Sequence, residues 1–149
     1  MAGKPKGNAK SDASLSPERA PADDELAAYC PDLNQWPGSW MYEERDLALG
    51  QQMVECFKPF LRHLLSLGLS RKTLRKHRDN LWLLGGEIFS DLHETPRLRK
   101  RPIDQVLLAA LDDEDGPLIS RASEDQQRSF DATCRKFYRF LKERNTGSL

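Results

Sequence analysis

A chain of 149 residues, 38% hydrophobic and 31% charged, can bury one ordinary core but not two, so a single domain with an attached tail is expected. Its 23 Lys and Arg balance 23 Asp and Glu, which excludes a globally basic protein and leaves any affinity for polyanions to a local patch. No apolar run approaches the roughly 20 residues of a membrane helix and no secretory core opens the chain, so a cytoplasmic protein with reduced Cys30, Cys56 and Cys134 is expected.

Residues 1–24, MAGKPKGNAKSDASLSPERAPADD, are rich in Pro, Gly, Ala, Ser and charge, with Leu15 the only large aliphatic side chain after the initiator. Such a segment buries too little surface to offset the entropy of ordering it, and a disordered tail is expected. Residues 25–43 hold Tyr29, Trp36, Trp40 and Tyr42 around Pro31, Pro37 and Gly38. An aromatic arm of this kind has two readings: an irregular brace docked on the rest of the chain, or an anchor through which Trp36 and Trp40 bind a protein partner.

Residues 44–145 read as the helical domain. Met53, Val54, Phe57, Phe60, Leu61 and Leu64 recur on one helical face, in a helix running from near Tyr42 to Leu67. Pro59 lies inside it and predicts a kink or break near Phe57, because proline lacks the N–H and crowds the carbonyl of Glu55. Gly68 stops the helix. Ser70 then caps a second one, with Leu74, His77, Leu81, Leu84 and Ile88 as its apolar seam. Gly85 and Gly86 inside that helix cost about 1 kcal/mol each relative to alanine, which predicts close approach of a neighbouring element.

The connection SDLHETPRLRKRP is polar, with a short helical turn after Pro96. Pro102 opens a short apolar helix through Ile103, Val106 and Leu107; the acidic run Asp112 to Asp115 suits a solvated loop, since acids oppose the dipole at a helix C-terminus, and Gly116 and Pro117 end the segment. Ser123 and Gln126 form a capping box for a last helix whose apolar face is Phe130, Cys134, Phe137, Tyr138 and Leu141, with Arg128, Arg135, Arg139 and Lys142 on the far side. No segment reads as a strand. The fold class expected is all-α, a small bundle of four to five helices with a disordered N-terminal tail.

Catalytic patterns are missing: no phosphate-cradling glycine loop, no metal-ligand spacing, and His63, His77 and His93 are scattered. No enzyme activity, metal or cofactor is expected. His77, on an apolar seam, reads as a satisfied core histidine, and His63 and His93 as exposed. The residues that could carry function are cations. Arg71, Arg75 and Arg78 fall with Trp82 on one narrow strip of the Ser70 helix, Lys72 and Lys76 lie further round, and Arg97, Arg99, Lys100 and Arg101 form a second cluster. Cations spaced along one surface can reach successive DNA phosphates and displace counterions.

The stretch FLRHLLSLGLSRKTLRKHRDNLWLLGGEI resembles the amino-terminal core-binding, SAM-like domain of tyrosine recombinases, the phage integrases, at Phe60, Leu61, Leu64, Gly68, Leu69, Ser70, Thr73, Leu74, His77 and Leu81. The catalytic domain of that family needs an H-x-x-R element; no histidine here is followed three residues later by arginine, and too little chain remains for such a domain. What the resemblance implies is therefore the non-catalytic task, a helical bundle lying on DNA. The alternative expectation is a protein-interaction module that uses the bundle and the Trp36/Trp40 arm.

Overall fold

The long central helices form because apolar side chains repeat at helical spacing and their ends carry the right stop and start residues. The computed structural model describes residues 21–111, 116–119 and 121–147. In chain order it contains α1 (Pro21–Tyr29), a 3-10 turn (Leu33–Gln35), α2 (Trp36–Trp40), α3 (Asp46–Ser66), α4 (Arg71–Glu94), a second 3-10 turn (Pro96–Lys100), α5 (Ile103–Ala110) and α6 (Glu124–Gly147). Among the described residues there is no strand. No helix among them is long and apolar enough to cross a membrane.

Helix α3 buries Met53, Val54, Phe57, Phe60, Leu61 and Leu64, the face expected from spacing. Its start differs from expectation, and of the kink or break expected near Phe57 the break does not occur. It begins at Asp46, not near Tyr42, and runs without interruption through Pro59. Phe57 and Phe60 on either side of the proline are both wholly buried, and that burial holds the helix together across the one missing hydrogen bond. Gly68 ends the segment at φ +70°, a left-handed conformation that suits glycine. Ser70 then caps α4: its Oγ accepts from the Thr73 N–H at 3.2 Å.

Helices α4 and α6 pack antiparallel. Asn80 Nδ2 donates to Ser129 and His77 Nδ1 lies 2.8 Å from Thr133 Oγ1, so positions advance on one helix as they retreat on the other. The capping box at the start of α6 forms as expected, with Gln126 N donating to Ser123 Oγ and Ser123 N to Gln126 Oε1. Phe137 of α6 stacks on Phe60 of α3 at 4.7 Å between centroids and meets Phe57 edge-on, which closes the core.

The aromatic arm is part of this core and is helical, not irregular. Trp36 and Trp40 are each 3% exposed, and Trp40 stacks on Phe89 of α4 at 5.7 Å. Gly85 is what lets Trp40 in: a Cβ there would stand 2.2 Å from Trp40 Cζ2. The expected tail boundary also moves. Pro21 to Asp24 belong to α1, while residues 1–20 and the acidic run Asp112–Asp115 lie outside the described residues.

Candidate nucleic-acid interface

Helix α4 carries its charges against its own dipole. The partial positive charge of a helix N-terminus favours acids, yet the first turn of α4 has none and begins with Arg71 and Lys72. Its last turns hold Glu87, Asp91 and Glu94. Burial, reinforced by the neighbouring carboxylates, pushes the carboxyls of Glu87 and Asp91 above the usual range. Each opposed charge at an exposed terminus costs about 0.3–1 kcal/mol, so the arrangement is not one that helix stability selects.

Arg71, Lys72, Arg75 and Lys76 are all exposed. Among the described residues no ion pair holds any of the four. The structure adds one cation that the linear pattern missed: Lys136, from the α6 side. His77 is buried beneath this group, and its pKa is held below the usual range first by burial and then by the positive charges of Lys136 and Lys76. Cations of both helices thus lie near enough to His77 to disfavour its charged form. Antiparallel packing of α4 and α6 is what joins them, and no spacing rule within either helix could have done so.

Arg78 belongs only to the edge of this surface. Its Nη1 donates to the Tyr29 carbonyl at 3.1 Å and its Nε to Asp79 Oδ1 at 3.0 Å, while the Tyr29 hydroxyl donates to the Leu74 carbonyl. It ties α1 to α4.

The second expected cluster does not join the first. Arg97, Lys100 and Arg101 are exposed but follow the acidic end of α4, a helix of 24 residues, about 36 Å from its start. Arg99 is not available to DNA at all. Its side chain is 5% exposed, with Nε donating to Asp46 Oδ1 at 2.9 Å, Nη2 to Asp46 Oδ2 at 3.2 Å, and Glu43 Oε2 3.4 Å from Nη2. Asp46 is fully buried and also accepts the backbone N–H groups of Tyr42 and Glu43. Burial alone would raise its pKa, but the Arg99 bonds and the two N–H donors outweigh it and hold the carboxyl below the usual range. Sequence reading could see a run of basic residues after Pro96 but not which of them a carboxylate 53 positions earlier would claim.

Nor do Trp36 and Trp40 offer a partner anchor. Both indoles are in the core, because the arm packs on Phe57 of α3 and, through Trp40, on Gly85 and Phe89 of α4. Trp82 is the exposed tryptophan, at 41%. His63 stands half-buried beside Phe140, and His93 is exposed and stacks on Tyr42. Cys30, Cys56 and Cys134 form no disulfide among the described residues, and burial pushes the thiol of Cys30 up to about 12. Among the described residues no cluster of His, Cys, Asp and Glu is disposed to hold a metal ion. Comparison of the chain with protein-family models, with curated proteins and with solved structures finds no match.

Proposed function

We propose that this protein is a non-catalytic DNA-binding module that contacts the phosphate backbone through the first turns of α4, with Arg71, Lys72, Arg75 and Lys76 as principal contacts and Lys136 beside them. The observation that carries the reading is the set of four exposed cations at a helix N-terminus, none of them in an ion pair among the described residues, where the backbone N–H groups and the dipole add to their attraction for phosphate. The acidic end of the same helix repels a polyanion and gives the contact a polarity. The resemblance of the Phe60 to Leu81 stretch to integrase core-binding domains supports the same task.

A fluorescence-anisotropy titration with mixed-sequence duplex DNA tests it. About four phosphate contacts imply a roughly 100-fold loss of affinity between 50 and 200 mM salt. The variant Arg71→Glu, Lys72→Glu, Arg75→Glu, Lys76→Glu abolishes that binding. A wild-type titration that is flat at low salt sinks the proposal and turns attention to protein partners.

A further inference from the structure

Arg71, Arg75 and Arg78 succeed one another at one-turn spacings along α4, and Trp82 follows one turn later. Two clefts run along this line. The first lies between α1 and α4 and is bordered by Glu25, Tyr29, Arg71 and Arg75. The second, of 620 Å³, is bordered by Pro31, Asp32, Trp82 and Leu83. Arg78 lines both and, bonded to the Tyr29 carbonyl, stands between them, so the two clefts adjoin along about 16 Å of the helix and together make a groove.

Trp82 is an exposed ring that is nevertheless held. Its Nε1–H donates to Ser39 Oγ at 2.9 Å, and its own carbonyl accepts the Trp40 Nε1–H at 3.0 Å. The polar edge of the indole is thereby satisfied within the protein while the ring stays in the cleft wall. A fixed aromatic ring in line with arginines is the arrangement by which proteins hold single strands: bases stack on the ring and phosphates track the cations. The groove is not uniformly basic. Asp79 is paired with Arg78, and Asp32 stands in the same cleft as Trp82. A carboxylate there disfavours a phosphate and suits the exocyclic amine of a base, cytosine above all.

We infer that the groove takes an unpaired stretch of nucleic acid, with one base stacked on Trp82 beside Asp32 and the preceding phosphates on Arg75 and Arg71. This rests on the backbone-contact reading above and adds to its phosphate contacts a place for an unpaired base.

The test uses the full chain and a cytosine-rich single-stranded oligonucleotide, read by anisotropy and by intrinsic tryptophan fluorescence. Trp36 and Trp40 are buried, so quenching reports Trp82. Salt-sensitive binding with quenching is expected. Trp82→Phe keeps affinity within about threefold and loses the quenching, and Trp82→Ala weakens single-strand binding by about tenfold while leaving duplex binding unchanged. The phenylalanine variant serves where the alanine variant fails to fold. If Trp82→Ala binds the oligonucleotide as wild type does, or the wild-type fluorescence does not respond, the stacking inference fails and the backbone reading stands on its duplex result. If neither single strand nor duplex is retained at low salt, both fail. Quenching by a proline-rich peptide but not by the oligonucleotide also overturns the inference.

Discussion

The two ends of α4 treat charge in opposite ways. At its C-terminal end the helix is packed by Trp40 against Gly85 and Phe89, and the adjoining turn sends Arg99 inward to Asp46, so that an arginine becomes part of the core. At its N-terminal end Arg71, Lys72, Arg75 and Lys76 stay exposed and unfavourably placed on the dipole. The same kind of side chain is structural at one end and available at the other. What decides is whether the tertiary fold brings a carboxylate to it.

Removing the carboxylate at the packed end gives the largest effect. Asp46→Ala takes from buried Arg99 its two-bonded partner, leaving only the exposed Glu43 carboxylate at 3.4 Å, and costs about 3–5 kcal/mol, a fall in Tm of about 10 °C or more in thermal melts. The double change Asp46→Leu with Arg99→Met recovers most of that loss, which separates the cost of an orphaned charge from the worth of the pair. Next comes Gly85→Ala. Its Cβ collides with the Trp40 ring and costs about 1–3 kcal/mol by denaturant unfolding, and less in a Trp40→Leu background because the two sites share the contact.

At the exposed end the sign reverses. Arg71→Glu with Lys72→Glu complements the α4 dipole and stabilises the fold by about 1 kcal/mol while weakening the proposed DNA contact, so that stability and the proposed function move in opposite directions. A loss of both together would refute the claim that these cations oppose the helix.

The smallest effect is a pH slope between the two ends, at His77. Its folded-state pKa is lowered, so below about 6.5 the unfolded chain takes up a proton that the folded one resists. Stability is full above that pH and declines as pH falls toward the folded value. Denaturant midpoints measured from pH 7.5 to 5 show the decline in wild type, and His77→Gln flattens it.

Much of the framework was legible in the linear pattern. The apolar faces of α3, α4 and α6, the Ser70 cap, the Gly68 stop, the Ser123 capping box and the core position of His77 all follow from neighbours three or four residues apart, because helical geometry makes such neighbours touch. Gly85 announced a close approach, though not by which residue. The basic character of the first turns of α4 was equally local, and so was visible.

The rest depended on contacts across long separations. That α3 continues through Pro59, that Trp36 and Trp40 are core and Trp82 is not, and that Arg99 belongs to Asp46 were decided by packing between separate elements, for which no periodicity speaks. The convergence of Lys136 with Lys76 has the same origin. Pattern dictated the helices and their faces because these are set within one turn; which charges remained free for a ligand was settled only when the helices met.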